Sequence, residues 1–421
     1  MDQHLCLFVC GDVMLGRGID QILPHPGDPR LYEPYVHDAR DYLRLAQAAH
    51  GPIPHPVADD YIWGEALKEL DAADVRIVNL ETSITTSGDY WPGKEVHYRM
   101  NPPNIDCLTA AGIDCCTLAN NHVLDWGYEG LAQTLATLDQ AGIKHAGAGA
   151  NAEQAEAPAI LPLSLLVGRL RGSSRPAVAS GGSAPRLTQS IRASQPQPPD
   201  GPGKGRVLVF AFGSVTSGIP LEWAAGRDRP GVNLLEDLSD QTSRRVASKM
   251  REAKGPGDVT VASIHWGGNW GYEIPEAQIR FAHRLIEEGV DLVHGHSSHH
   301  VKALEVYRGH PILYGCGDFL TDYEGIRGRE AFRGDLSIMY FIRLDPVSRA
   351  SCPRSEGGTP STQELTDLRL VPMQVRRFQL RRASPADVQW VQRTLNRQGA
   401  RFGTEVSLSS DNSLSVRLPG S

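Results

Sequence analysis

Short apolar runs separated by amphipathic stretches dominate the first 300 residues. The runs show little alternation with polar residues, which is typical of strands covered on both faces. They occupy residues 5–10, 75–80, 114–119, 206–212, 259–264 and 291–295. Helical periodicity lies between them, at residues 61–73, 127–142 and 276–290. Strands that alternate with helices predict a layered α/β domain.

The pattern changes after residue 300. Residues 301–309 and 310–315 predict a hairpin that turns at Arg308 and Gly309, and residues 336–344 and 367–375 are also strand-like. Turn residues between two apolar runs are typical of such hairpins. We expect this part of the chain to form a more antiparallel sheet packed beside the first.

Two segments differ from the rest in composition. Residues 168–205 are rich in Gly, Ser, Pro and Arg and contain no aromatic residue, which predicts a disordered insertion. Residues 349–365 predict a second flexible loop. We therefore expect a main domain at residues 1–345, which includes the insertion, and a C-terminal extension at residues 346–421 that completes the second sheet.

Composition and charge narrow the class of protein. The chain has 421 residues and a net charge of −7, so a nucleic-acid partner is not expected. The N-terminus lacks a basic leader and no apolar run is long enough to span a membrane, which predicts a cytoplasmic protein without a membrane partner. The seven cysteines are scattered and show no zinc-finger spacing.

Polar residues follow five of the predicted strands at the point where each strand ends. Ligands in α/β sheets bind outside the carboxyl ends of the strands, so these residues predict one shared polar site. Carboxylates and imidazoles together favour a divalent metal ion, and the absence of cysteine argues against a structural zinc site. The residues are Asp12, Glu81, Asn120, Asn121, His122, Asp125, His265, His296 and His299.

Six sequence blocks together resemble the CapA family, which is named for poly-γ-glutamate capsule biosynthesis and is related to calcineurin-like metallophosphoesterases. The resemblance covers about residues 5–345 without the insertion. It implies a four-layer α/β/β/α fold with a metal site at the strand ends. The blocks are GDVMLGR, NLETSIT, LANNHVLDWGYEGL, IHWGGNW, HGHSSHHVKALEVYRG and PILYGCGDFLTDYEG.

The resemblance also implies roles for individual residues. Asp12 is the first carboxylate ligand, Glu81 the bridging carboxylate and Asn121 the amide ligand. The imidazole ligands are His265, His296 and His299. Met14 stands where the phosphoesterases have a histidine, and a thioether is a poor ligand for a hard cation. The expected cofactor is therefore one or two divalent ions, of Mn, Zn, Mg or Ca.

His122 and Asp125 are three residues apart, a separation at which helical side chains meet. A carboxylate that orients a histidine fixes its tautomer, so this pair is a candidate for proton transfer. An alternative role for Asp125 is to cap the helix that begins near Gly127. Both roles stay open from the sequence. Asp12, His265 and His299 complete the candidate catalytic set.

Several cationic and aromatic residues lie near the same strand ends. Arg17 has a guanidinium suited to a bidentate anion contact, and tryptophans at strand ends are typical of a pocket lining. Lys94 and Arg99 could bind an anionic group, although a solvated loop is the more common position for such residues. The predicted substrate-binding residues are Arg17, Lys94, Arg99, Trp126, Trp266, Trp270 and Asp318.

Three functions fit these observations. The leading hypothesis is a metal-dependent enzyme that acts on an anionic or peptidic substrate, of the poly-γ-glutamate type that the resemblance implies. The second is a metal-dependent peptide Cα epimerase of a ribosomal-peptide pathway, which would pair His122 and Asp125 against His265 or His299 with Asp12 or Asp318. The third is a non-catalytic binding subunit of a polymer-synthesis complex.

Overall fold

The computed structural model describes residues 4–163, 205–346 and 363–418. The strands are β1 (Leu5–Val13), β2 (Val75–Leu80), β3 (Ser83–Ile84), β4 (Arg99–Met100), β5 (Cys115–Thr117), β6 (Lys144–Ala146), β7 (Ala148–Gly149), β8 (Ala159–Pro162), β9 (Arg206–Ser214), β10 (Gly231–Val232), β11 (Leu234–Leu235), β12 (Val259–His265), β13 (Leu292–His296), β14 (Leu304–Tyr307), β15 (His310–Leu313), β16 (Asp318–Leu320), β17 (Leu336–Pro346), β18 (Gln363–Val375), β19 (Leu380–Arg382), β20 (Val406–Leu408) and β21 (Leu414–Val416). The helices are α1 (Arg17–Asp20), α2 (Arg40–His50), α3 (Ala66–Leu70), α4 (Asp106–Ala110), α5 (Gly127–Gln140), α6 (Ala152–Glu156), α7 (Asp240–Ala253), α8 (Glu276–Glu287) and α9 (Pro385–Gly399).

Two large mixed sheets form the centre of the molecule. A ten-stranded sheet has the order β20-β21-β18-β17-β1-β2-β5-β6, with β16 also paired to β1 and β19 to β18. A seven-stranded sheet has the order β11-β9-β12-β13-β15-β14, with β8 paired to β9. Within these sheets β1, β2 and β5 are parallel, and so are β9, β12 and β13. Parallel strands bring their carboxyl ends to one edge of each sheet.

Three apolar clusters separate four layers. The inner cluster lies between the two sheets and includes Leu7 of β1 and Val261 of β12. The outer face of the ten-stranded sheet, with Phe8, packs against α2, α3, α4 and α5. The outer face of the seven-stranded sheet, with Ala262, packs against α7 and α8. Successive strand residues therefore point into different clusters, and the predicted α/β/β/α order is confirmed.

The strand predictions agree closely with the structure. All six apolar runs form strands, and the hairpin turns at Arg308 and Gly309, which both have positive φ angles of 52° and 82°. A two-residue turn with two positive φ angles matches the twist of the flanking strands. The predicted helix at 61–73 is instead interrupted, because Gly64 adopts a φ of 46° before α3 begins.

The strands after residue 300 are divided between the two sheets. β14 and β15 extend the seven-stranded sheet, whereas β17 and the strands after it extend the ten-stranded sheet from the free side of β1. The expectation that this part of the chain forms one more antiparallel sheet beside the first is therefore wrong, because its strands add to both sheets. The boundary between residues 345 and 346 stays a prediction.

The two segments of unusual composition lie largely outside the described residues. Of the predicted insertion at 168–205, the structure describes Gly205 alone, and of the predicted loop at 349–365, it describes the first three residues of β18. Within the described ranges, no helix has both the length and the apolarity to cross a bilayer.

Replacing Gly309 by alanine is expected to destabilise the protein by about 1–2 kcal/mol, because an L-residue pays a steric cost in the left-handed region. A Cβ added at this position meets no atom within 4 Å. The loss of stability would therefore reflect the backbone conformation alone. Urea unfolding measures it. Gly88→Ala is the matched control, since Gly88 also has open space but no positive φ. Equal stability of the two variants would contradict the prediction.

Candidate metal centre

Strand register places the candidate ligands side by side. His265 ends β12 opposite His296, which ends β13. On the other sheet, Asp12 near the end of β1 lies opposite Asn79 of β2 and Asp318 of β16. All five side chains are buried. The carboxyl edges of both sheets thus meet at one polar cluster between them.

Asp12, His265 and His296 form a first group whose potential ligand atoms all lie within 4.8 Å of one another. Asp12 Oδ1 is 3.5 Å from His296 Nδ1 and 4.0 Å from His265 Nδ1, and the two Nδ1 atoms are 2.9 Å apart. Burial lowers the pKa of both imidazoles well below the ordinary value. Both rings are therefore neutral, which is the form that binds a metal.

Asp12, Glu81 and Asp318 form a second group, whose carboxylate oxygens also lie within 4.8 Å of one another. Burial, followed by the charge of Asp318, raises the pKa of Asp12 to about 8. Burial, followed by the charge of Asp12, raises the pKa of Glu81 well above its ordinary value. Three buried carboxylates at this distance repel one another unless a cation lies among them. The donor set thus suits a divalent ion, and Asp12 belongs to both groups.

Neighbouring groups hold these ligands in place. Asn79 Nδ2 donates to Asp12 Oδ1 at 2.7 Å, and the backbone N–H of Ser297 donates to Asp12 Oδ2 at 3.1 Å. Ser297 has a φ of 103°, a strained conformation for a residue with a side chain. Ser263 Oγ lies 2.9 Å from His296 Nε2 and fixes that ring. Such supporting contacts orient metal ligands.

The tripeptide Cys-Gly-Asp occurs twice, at residues 10–12 and 316–318, and the two copies meet. The backbone N–H of Asp12 donates to Gly317 O at 3.0 Å, and a Cβ added to Gly11 would lie 1.6 Å from that oxygen. Sequence reasoning missed Asp318 as a candidate ligand, although this repeat is a signal for it. Its carboxylate lies in the second group and also contacts His299.

The remaining predicted ligands lie around these groups. His265 Nε2 is 2.9 Å from Asn121 Oδ1 and 3.7 Å from Glu81 Oε1, so Asn121 borders the cluster. His299 Nδ1 contacts Asp318 at 3.0 Å and belongs to neither group. Although burial opposes it, the charge of Asp318 gives a net rise in the pKa of His299.

Met14 is fully buried, and its sulfur accepts the backbone N–H of Gly16 at 3.2 Å. It belongs to neither ligand group. Asp318 instead supplies a carboxylate beside Asp12 and Glu81. The second ligand group therefore forms without a side chain from position 14.

The buried His122 and Asp125 form a chain with the partly buried Lys94 next to Asn121. His122 Nδ1 lies 2.6 Å from Asp125 Oδ2, and Lys94 Nζ donates to Asp125 Oδ1. Burial would raise the pKa of Asp125, but its contacts with His122 and Lys94 lower it overall. An ionised carboxylate can only accept, so Nδ1 carries the hydrogen and Nε2 is free to accept a proton. Burial also lowers the pKa of His122 to about 4.

The alternative role for Asp125 is excluded by the same contacts. Helix α5 begins after Trp126 without a side-chain cap. The carboxylate of Asp125 instead accepts from the backbone N–H of Tyr98 at 2.7 Å as well as from His122 and Lys94. The ring of Tyr98 stacks on His122 with centroids 3.9 Å apart. Asp125 therefore orients His122 and does not cap the helix.

A half-open cavity of about 510 Å³ borders the second ligand group. His299 and Asp318 line it, as does Trp270, whose ring centroid is 5.3 Å from that of His299. Of the predicted substrate-binding residues, Trp270 and Asp318 are thus at the cavity. Lys94 is not among its lining residues and is paired with Asp125.

Arg17 is buried in ion pairs and does not line the cavity. Its guanidinium donates to Asp322 Oδ1 at 2.5 Å and to Glu33 Oε1 at 2.9 Å. It also lies 3.8 Å above the ring of Tyr42 and 4.7 Å from that of Tyr98. Because two carboxylates already occupy its guanidinium, Arg17 links its own segment to those of Glu33 and Asp322 beside the site.

Three other predicted substrate contacts lie away from the cavity. Trp126 and Trp266 are buried, and their indole N–H groups donate to Tyr98 O and Tyr314 O at 3.0 and 3.1 Å. Arg99 lies over the ring of Trp126 and donates to two backbone carbonyls. Tertiary contacts hold these side chains in place. The positions of strand ends in the sequence do not reveal such contacts.

Comparison with known proteins identifies the family of this chain. The model of the family described as bacterial capsule synthesis protein PGA_cap matches residues 6–174 and 189–323. The protein named "Probable polyglutamine synthesis accessory protein" of Mycobacterium tuberculosis is 44% identical over 409 residues, which cover 96% of this chain and 94% of that relative.

Two Bacillus proteins are more distant relatives. The capsule biosynthesis protein CapA of Bacillus anthracis is 21% identical over 330 residues, which cover 78% of this chain and 63% of the relative. The PGA biosynthesis protein CapA of Bacillus subtilis is 23% identical over 349 residues, which cover 83% of this chain and 70% of the relative. The chain therefore belongs to the PGA_cap family of CapA-like proteins, which have a metallophosphoesterase-like fold.

Proposed function

We propose that this protein is a metal-dependent enzyme that acts on an anionic or peptidic chain of the poly-glutamate type. One observation carries the proposal: a single carboxylate, Asp12, is shared by two groups of buried ligand atoms beside a cavity. The printed names of the relatives, which refer to polyglutamine, PGA and capsule synthesis, support the substrate class.

The residues that would hold the ions follow from the two groups. Asp12, His265 and His296 would hold one ion, and Asp12, Glu81 and Asp318 the other. Asn121 and His299 border these positions. A bound divalent ion would supply Lewis-acid polarisation of a substrate carbonyl or phosphoryl oxygen.

In this proposal His122 transfers the proton. Its ring is neutral at neutral pH, its Nδ1 hydrogen is directed at Asp125, and Nε2 can accept a proton from a nucleophile or a substrate. Asp125 holds the tautomer, and Lys94 occupies the second oxygen of that carboxylate. The stack with Tyr98 fixes the plane of the ring.

His122→Gln is expected to lower turnover by about 10²–10⁴-fold, because it removes the proton acceptor and keeps a polar side chain of similar length. Metal content should be unchanged, since His122 is in neither ligand group. Initial rates and elemental analysis of the same preparations measure both quantities. His4→Gln is the control, because His4 is exposed and pairs with Asp345 away from the site. Full activity in His122→Gln would contradict the role.

One experiment separates this proposal from its two alternatives. The purified protein is loaded with each of Mn, Zn, Mg and Ca and is given γ-glutamyl peptides, phosphoesters, and unmodified peptides in heavy water. Cleavage of a γ-glutamyl peptide or a phosphoester supports the hydrolytic proposal. Deuterium incorporation at a peptide Cα without cleavage would instead favour epimerisation. Absence of both bound metal and turnover would leave a binding subunit, a role compatible with relatives named as accessory proteins.

A further inference from the structure

An exposed segment at residues 325–331, the rim segment, borders the cavity that His299 and Asp318 also line. It contributes Ile326, Arg327 and Arg329 to the cavity wall. His299 and Asp318 form the wall nearest the candidate metal ligands. A molecule that fills the cavity would therefore contact the rim segment and the ligand groups together.

Most charged groups around the cavity are already paired. Arg333 lies 2.7 Å from both Asp335 and Asp387. Glu324 accepts backbone N–H groups from two residues of the neighbouring turn and lies 3.1 Å from His50 Nδ1. These groups have little capacity left for a charged ligand.

Arg327 and Arg329 differ from these groups. Within the part of the chain that the structure describes, neither guanidinium forms an ion pair or a hydrogen bond, and both side chains line the cavity. Glu330, the acidic residue next to them, accepts the backbone N–H of Gly328. Two arginine side chains without an ion pair among the described residues thus line the cavity of a protein whose net charge is −7, and Arg327 also interacts electrostatically with Glu330. Such a local charge of opposite sign attracts and orients anions.

Arg329 is positioned by an aromatic contact. Its guanidinium carbon lies 5.4 Å from the ring centroid of Trp270, a cation–π distance. Trp270 in turn contacts Phe332 at 5.4 Å and His299 at 5.3 Å. Arg329 is therefore connected to the wall that carries Asp318 through two successive ring contacts.

We propose that the rim segment is a carboxylate-binding subsite, in which Arg329 and Arg327 hold the free carboxylates of an acidic peptide chain whose reacting bond lies at the ligand groups. This inference rests on the proposed function and names the residues that select its substrate. Guanidinium groups bind carboxylates bidentately. A cavity of about 510 Å³ is much larger than a single phosphate and has Ile326, Val375 and Trp270 in its wall, which suits an extended chain with methylene groups.

Isothermal titration calorimetry tests the subsite without turnover. The probes are a γ-linked octamer of glutamate and the same octamer with its free carboxylates amidated. The unmodified protein should bind the acidic octamer at least tenfold more tightly than the amidated one. Arg329→Gln should weaken binding of the acidic octamer by about tenfold, the loss expected for a charged hydrogen bond, and Arg327→Gln should weaken it less. Arg417→Gln is the matched control for net charge, because Arg417 is exposed and pairs with Glu405 away from the cavity.

Several results would overturn the inference. These are no binding of the octamer by the unmodified protein, equal binding by Arg329→Gln and Arg417→Gln, or tighter binding of inorganic triphosphate that the same rim variants abolish. Circular dichroism of each variant shows that it is folded. Octamer binding through Arg329 without any turnover would support the subsite and contradict the proposed enzyme. Turnover that neither rim variant affects would support the proposed enzyme and contradict the subsite.

Discussion

Replacing Asp12 by asparagine is expected to remove every tightly bound divalent ion from the protein, because its carboxylate is shared by both candidate ligand groups. Turnover should fall to background with the metal. Elemental analysis after exhaustive dialysis against metal-free buffer measures the ion content. In the presence of a chelator the same variant should melt at a higher temperature than the unmodified protein, because it loses one of three buried, mutually repelling carboxylates.

Two further variants sharpen this test. Asp318→Asn affects the second group alone, so a protein that holds two ions should keep one of them. Asp139→Asn changes an exposed carboxylate on α5 and should keep the full metal content. A fully loaded Asp12→Asn protein would contradict the assignment. The rise in melting temperature under chelation distinguishes metal loss from misfolding.

Arg17→Met is expected to destabilise the protein by about 3–5 kcal/mol, the usual cost of leaving a buried charge without its partner. Asp322 and Glu33 are both buried around the guanidinium, and among the described residues neither carboxylate has another ion-pair partner. Methionine keeps much of the side-chain volume, so the loss of stability reflects the missing charge more than lost packing. Urea or thermal unfolding at neutral pH measures it.

Two controls identify the cause of that loss. Arg30→Met breaks an exposed pair with Asp28, where the arginine side chain is 75% exposed, and should change the stability little because solvent screens such a pair. A triple variant with Arg17→Met, Asp322→Asn and Glu33→Gln should recover part of the stability, because it removes the unpaired charges as well. If Arg17→Met costs no more than Arg30→Met, the buried network does not stabilise the fold.

Sequence reasoning located the strands well because strands buried on both faces form contiguous apolar runs. It also located the candidate site, since parallel strands end at one edge and the polar residues that follow them converge there. His265 and His296 illustrate this: each is the last residue of its strand, and the register places them opposite each other.

The sequence does not show a residue's environment where segments distant in the chain set it. Arg17 has the right chemistry for an anion, but Glu33 and Asp322 already occupy its donors. Trp126 and Trp266 follow strands, yet packing buries them with their N–H groups paired to backbone carbonyls. Asp318 was placed with the substrate rather than with the ligand carboxylates because β16 pairs with β1 from a distant part of the chain, and the Cys-Gly-Asp repeat that links the two segments does not give the register. The role of each predicted site residue stays a prediction until the variants are measured.

The position of β1 has a consequence for synthesis of the protein in the cell. This apolar strand is synthesised before its neighbours β16 and β17, which begin about 300 residues later in the chain. At typical translation rates the ribosome needs roughly 15–60 s to reach them. During that interval one edge of β1 has no native partner and is open to pairing with other chains. A nascent chain that stops before residue 318 lacks Asp318 as well as this covering strand, so premature termination yields a product without the complete second ligand group.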